Sequence, residues 1–409
     1  MERIEHYDWN DGWLFTPRYD PALLGPDCGG LELEPVRLPH TVKVLPFNYC
    51  NENDYQLVSG YRRVFTAPKS WEGRTLFLTF GGAAHDATVY CNGQRVGRHT
   101  CGYTSFTINL TSAVKLGEEN ILVVRCDSRE TLDIPPFGGQ TEPLTYGGLH
   151  RGVYLEVKEN AWLRDVFIQA EADGSFRIYS AAEGETVGCA LEAEIRSPAG
   201  RRATYMGELS LPIHGILNGV QPWNCEHPTR YTLTVRLIRP GINGLPDRAL
   251  DQKVIRFGFR TIQFMAGGLY LNGTRTELRG LVREQSYPYQ GYAMPDSIQR
   301  LDAQILRKQL GCNAVRCCCP PSPAFLDACD ELGLLAFVEM PGQQHIGGPA
   351  WKAQALQNCR EMVAQYRNHP SVFLWGVRVP GSADDEALYK KTNEAARRLD
   401  PTRPTTGTR

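Results

Sequence analysis

GCNAVRCCCPPSPAFLDACDELGLLAFVEM, residues 311–340, decides the fold of the C-terminal part of this chain. NAVRCC reads as a strand, PAFLDACDEL as a helix and LLAFVEM as a second strand, so a helix carries the chain from one strand to the next. Strands joined by such a crossover run parallel. Their near-continuous apolar runs suit a sheet covered on both faces. The alternation extends outward in both directions. LYLNG and TELRGL precede it as strands, and PDSIQRLDAQILRKQL (295–310) places Ile298, Leu301, Ile305 and Leu306 at helical spacing. Pro295 with Asp296 suits the start of that helix, and Gly311 its end. After residue 340 come a helix through Trp351 to Tyr366, the strand SVFLWGV, a helix through Asp384 to Leu399, and the strand-like tail RPTTGTR. Residues 263–409 thus hold about four βα units, about half of a (β/α)8 barrel, which typically takes about 250 residues. Half a barrel leaves two edge strands and much apolar interior unpaired. A second copy of the chain, as a homo-oligomer, or a complementary chain supplying the rest of the barrel is the expected partner.

Upstream, the periodicity is that of strands. GYRRVFTAP, RTLFLTFGG, ATVYCNG, ENILVVRCDS and RGVYLEV are short β-branched or aromatic runs bounded by Gly, Asn, Pro or Asp. Asn92-Gly93 between ATVYC and QRVGRH is a two-residue hairpin signal. Such runs without helical period indicate a jelly-roll sandwich over residues 1–160. VFIQAEADGSFRIYS and YTLTVRLIRP belong to a second β region, 161–262, whose length suits an immunoglobulin-like sandwich. The fold class is therefore multidomain β plus α/β.

Lys and Arg number 44 against 45 Asp and Glu, a formal net charge of −1. With no basic excess to meet phosphates, neither nucleic acid nor an anionic membrane is an expected partner. The opening MERIEHYDWNDGW has no apolar core of signal-peptide length, and no apolar run is long enough to span a bilayer. The expected location is the cytoplasm. Thirteen cysteines are scattered except for Cys317, Cys318 and Cys319. No pair of C-x2-C motifs occurs, and neighbours on a strand face opposite ways, so reduced and mostly buried thiols are expected rather than a metal site. No cofactor is expected.

GYRRVFTAP, CNGQRVGRH, GGLHRGVYLE, PWNCEHPTRYTLTV, FGFRTI, GCNAVR, FLDACDELGLL, RNHPSVFLWGVR and LDPTRPT occur in this order. Together they make the chain similar to the N-terminal part of glycoside hydrolase family 2, the β-galactosidase/β-glucuronidase family. The resemblance covers essentially the whole sequence. It implies retaining cleavage of β-glycosides by two carboxylates about 5 Å apart, one the acid/base and one the nucleophile. The family's Asn-Glu pair after the fourth barrel strand falls here on Pro380 and Gly381, neither of which carries a transferable proton. The nucleophile's strand lies past Arg409. Asp384 and Asp385 follow closely but read better as a charged helix start. The family's Arg-Gly-x-Asn-Arg-His-Glu becomes Arg279 through Gln285, with Val282, Glu284 and Gln285 at the changed positions, and a histidine after Arg316 gives way to cysteine. Scaffold positions such as Asn313, Asp330, Glu331, Pro341 and Trp375 match.

The resemblance makes Arg283, Glu284, Arg316, Glu339, Trp375 and Glu142 candidates for binding sugar. Each has a plainer reading. Arg283 and Arg316 are either sugar ligands or structural ion-pair partners. Glu339 is read as a partner for one of those arginines, and Trp375 is either a sugar platform or barrel wall. His345 and His369 are read as hydrogen-bonded loop and helix-end residues. Glu142 sits where the family extends an acidic loop toward the pocket. The expected function is a family 2 glycoside hydrolase-like protein of carbohydrate metabolism that binds a β-linked carbohydrate and is inactive alone. The alternatives are half of a split retaining β-glycosidase, completed by another chain, and a disrupted remnant.

Overall fold

The computed structural model describes residues 5–46, 51–138, 144–241 and 246–408. Within residues 5–158, a six-stranded and a four-stranded antiparallel sheet face one another. Val58–Thr66 and Glu119–Asp127 pair along their full length at the centre of the larger sheet. The expected hairpin is present: Asp86–Cys91 turns into Gln94–His99 with Asn92 and Gly93 both at positive φ, as a tight primed turn demands. Trp13, Tyr61, Leu78, Phe80 and Leu155 lie buried between the sheets.

A second pair of antiparallel sheets, of three and four strands, follows from Ala161 to Phe257. Strict alternation turns Leu191, Ala193 and Ile195 of one strand and Leu233, Val235 and Leu237 of its neighbour inward. This is the pattern of a sheet with one dry face.

The parallel sheet has five strands in chain order: Gly280–Arg283, Ala314–Cys317, Leu335–Glu339, Val372–Gly376 and Thr405–Thr406. Helices α1 (Asp296–Gln304), α2 (Pro323–Leu332), α3 (Pro349–Tyr366) and α4 (Glu386–Leu399) carry the crossovers. A hairpin, Ile262–Met265 with Gly268–Leu271, sets Leu269 and Leu271 against Ala314, Leu335 and Phe373 near the strand starts. That packing closes the lower end and leaves the upper end, where the strands finish, for a site.

Two sequence expectations are corrected here. The first barrel strand begins at Gly280 rather than Thr276; before it, the Arg279 N–H is taken by the Asn313 side chain at 2.7 Å. The helix expected over 295–310 stops at Gln304 and continues through Gln309 as a wider π turn. Its buried face is Gln299, Ala303 and Leu306, while Leu301 is exposed. Among the described residues the cysteines are free thiols, and no helix is long and apolar enough to cross a membrane.

Candidate functional site

A cavity of about 560 Å³ opens above the C-terminal ends of the barrel strands. Its wall is built mainly from the last residues of the strands and the chain just past them: Val282 to Gln285, Arg316 to Pro321, Gly342 to Gln344, then Pro380 and Gly381. The first sandwich completes it with Tyr103, Pro136 and Thr145. Placing a site at strand ends is what the barrel geometry favours. Here the cavity also spans the junction of two domains.

The candidate residues meet different fates. Arg283 lines the cavity, but Nε and Nη2 donate to Asp302 at 2.9 and 2.8 Å and Nη2 also to Gln299 at 2.7 Å. Its guanidinium lies 4.0 Å from the Phe325 ring centroid, so the ion-pair reading is the one the geometry bears. Arg316 Nε donates to Glu339 at 2.5 Å and Nη2 to Thr408 at 2.9 Å; Thr408 in turn donates to Glu339 at 2.8 Å. Burial opposes the charge on Arg316, but the hydrogen bond and charge of Glu339 hold its basicity above the ordinary value. Glu339 is fully buried beneath this triangle, the structural role expected of it. Trp375 is not a sugar platform. It is fully buried, and its indole N–H donates to Asp400 at 2.9 Å, at the C-cap of α4. Glu142 lies outside the described residues.

Glu284 is the carboxylate that the described wall exposes to the cavity. Burial pushes the Cys318 thiol far up, and its hydrogen bond to Glu284 adds to the rise. Cys317 ends the second strand and, buried, is pushed up to about 12. The three cysteines therefore present protonated sulfur. Pro380 and Gly381 stand in the wall after the fourth strand; the Pro380 carbonyl accepts from Gln344 N at 2.7 Å and Gly381 holds φ +68°. Asp384 is paired with Arg378. Asp385 caps α4, accepting from Leu388 N at 2.9 Å and pairing with Lys352 at 2.6 Å. Neither lines the cavity. His345 packs edge-on to Trp351, and His369 Nδ1 lies 2.7 Å from Asp330. Asp327, Asp330 and His369 form the one described cluster of metal-ligand type, but both Asp330 oxygens are already engaged, by His369 and by Ser371 N.

The wall also holds residues that sequence reasoning did not single out. Tyr103 and Tyr292 meet hydroxyl to hydroxyl at 3.0 Å across 189 residues. Arg151 locks the junction, donating to Tyr103 O at 2.7 Å, Pro320 O at 3.0 Å and Gln285 at 3.3 Å. Arg151 lies in GGLHRG, within one of the stretches that carry the family resemblance, which was the available signal. The tyrosine pair has no local signature.

Residues 262–408 match the model of the glycosyl hydrolases family 2 TIM barrel domain, and residues 36–158 that of the family 2 sugar binding domain. The chain belongs to glycoside hydrolase family 2. Within that family it is 37% identical to a β-galactosidase of Thermoanaerobacter pseudethanolicus, covering 98% of this chain and 55% of that protein. It is 26% identical to a β-glucuronidase of Bacteroides fragilis, covering 97% of this chain and 60% of that one. A crystal structure of Bacteroides uniformis β-glucuronidase superposes with a TM-score of 0.84 at 25% identity, over 99% of this chain and 52% of that one. The chain thus spans about half the length of the curated relatives it matches. The cavity forms a cleft between the first sandwich and the barrel.

Proposed function

We propose that this family 2 chain binds a β-linked glycoside in the cleft without hydrolysing it. The carrying observation is the mouth of the fourth barrel strand. Where retaining hydrolysis needs a proton donor facing a nucleophilic carboxylate, Pro380 and Gly381 offer no titratable side chain. Asp384 and Asp385 are spent on Arg378, Lys352 and the cap of α4. Glu284 is a single carboxylate at the first strand's mouth and does not make a pair among the described wall residues. The names of the relatives point to galactosides and glucuronides as the glycosides to try. Loss of general acid–base catalysis alone typically costs about 10²–10⁴-fold in rate. The purified chain is expected to leave aryl β-galactosides and aryl β-glucuronides intact. Turnover that disappears in Glu284→Gln, Asp384→Ala or Asp385→Ala would overturn this.

One observation favours a second reading, in which the chain is one half of a split retaining β-glycosidase or the partner of a second copy. The first barrel strand is a sheet edge, and Leu281 and Val282 on it are 51% and 54% exposed. An apolar strand edge of this kind is a template for further pairing.

A further inference from the structure

Several polar groups of the cleft wall are engaged within the protein rather than free toward the cavity. Arg283 is held by Asp302 and Gln299, and Arg316 and Thr408 by Glu339. The Gln285 side-chain oxygen accepts from Ser322 N at 2.9 Å and from Arg151. Much of what faces the cavity is C–H, ring and sulfur, from Val282, Pro320, Pro380 and the edges of Tyr103 and Tyr292 whose hydroxyls satisfy each other, with Glu284, Gln343 and Gln344 as the polar remainder. Neutral thiols add to this surface, since protonated cysteine behaves as a small hydrophobe. A pyranose carries a hydroxyl on most of its carbons, and each hydroxyl buried without a partner costs about 1–3 kcal/mol. Glu284, Gln343 and Gln344 answer only some of them. At about 560 Å³ the cavity nonetheless has the size of an ordinary small-molecule site, where an apolar lining and a few placed polar groups do the recognising.

Resting on the reading of the cleft as a non-hydrolysing binding site, we infer that its apolar wall takes an aromatic ring bearing a hydroxyl, with Glu284 accepting a hydrogen bond from that hydroxyl. The ring is either the aglycone of an aryl glycoside or a free phenol. Glu284 has room for it: the residue is exposed in the cavity wall, and a carboxylate offers about four lone-pair positions. A hydrogen bond from the phenol to an ionised acceptor is among the stronger kinds, and the ring's apolar faces meet a wall that needs no hydrogen bonds from them.

The test is calorimetric titration of the full 409-residue chain. The probes are a naphthalenediol, its mono-β-galactoside, methoxynaphthalene and methyl β-galactoside. The diol and its galactoside are expected to bind, with methyl β-galactoside at least about tenfold weaker. Glu284→Ala, a change at an exposed residue, should weaken the diol about tenfold, as loss of one charge-assisted hydrogen bond predicts. The same change should leave methoxynaphthalene unaffected, and Val282→Trp, which fills the cavity, should abolish binding of both. Methyl β-galactoside binding as tightly as the diol overturns this inference while leaving the non-hydrolysing reading standing. Binding that ignores both substitutions also overturns it. If no probe binds, both readings fall.

Discussion

His85 and His150 stand behind the cleft's tyrosines, their rings 6.0 Å from Tyr103 and 5.5 Å from Tyr292. Each is about 1% exposed and has Nε2 at 2.6 Å from a backbone carbonyl, Thr145 O and Gly102 O respectively. Burial lowers His85 to about 4; burial, with Arg151 beside it, lowers His150 to about 3. Unfolded histidine titrates near 6.5, so the unfolded chain takes up these protons first as pH falls. The stability these neutral rings contribute is complete above about pH 6.5 and is lost between there and their folded values. For His85 this is on the order of 3 kcal/mol. His369 works in the opposite sense. Burial opposes its charge, but Asp330 raises it, so its contribution is complete below about pH 6.5 and fades as pH rises through its folded value. Burial lowers His40 to about 4 as well, so three histidines lose stability as pH falls against the one that is raised. Urea unfolding is expected to show stability falling from pH 6.5 to 5.5, above the range where ordinary carboxylates titrate, and a flat profile there would count against the assignment. Neither His85 nor His150 was legible as a buried group, because what encloses it is distant in sequence: Tyr103, Phe137 and Thr145 of the same sandwich around His85, and Gly102 with the barrel's Tyr292 around His150. Trp375 was ambiguous for a related reason. Every residue of Val372–Gly376 is at least partly buried, so the alternation that tells a cleft-facing side chain from a helix-facing one is absent from the sequence.

At the scale of elements, Gly333 ends α2 in the left-handed region at φ +72°, a place where glycine is favoured. A Cβ built there would sit 2.3 Å from the carbonyl oxygen of Cys225. The end of this helix therefore packs directly on backbone that follows the second sandwich's Trp223, whose indole N–H donates to Asp330 O at 2.9 Å. Gly333→Ala is expected to cost at least about 2 kcal/mol, from about 1–2 for the left-handed conformation plus the displacement of Cys225. Denaturant midpoints measure it, and a loss under about 1 kcal/mol would show that the contact gives way easily. α2, α3 and α4 could be read from the sequence because length and strand alternation frame them. α1 was read too long. Its π turn keeps apolar residues at nearly helical spacing while shifting them around the axis, and there Arg307 donates to Leu332 O at 3.1 Å and Cys225 O at 2.6 Å.

For the molecule as a whole, the order of sandwich, sandwich and parallel sheet was legible, since each layer type has its own period. The docking of the first sandwich on the barrel was not, because its contacts join residues hundreds of positions apart. Thr100 donates to Gln354 at 2.6 Å, Thr104 to Glu361 at 2.7 Å, and the Trp351 indole to Phe137 O at 2.9 Å. The exposed first barrel strand bears on behaviour in solution. Light scattering of the purified chain is expected to give twice 45.8 kDa or more, and a monodisperse monomer would remove the support for strand-edge pairing. The seam between sandwich and barrel has a further consequence. Because Tyr103, Pro136 and Thr145 belong to the sandwich, grafting a sibling's front module onto this barrel would swap part of the receptor along with it. On the proposed reading of the cleft, ligand preference is inherited from two modules at once, and neither carries it alone.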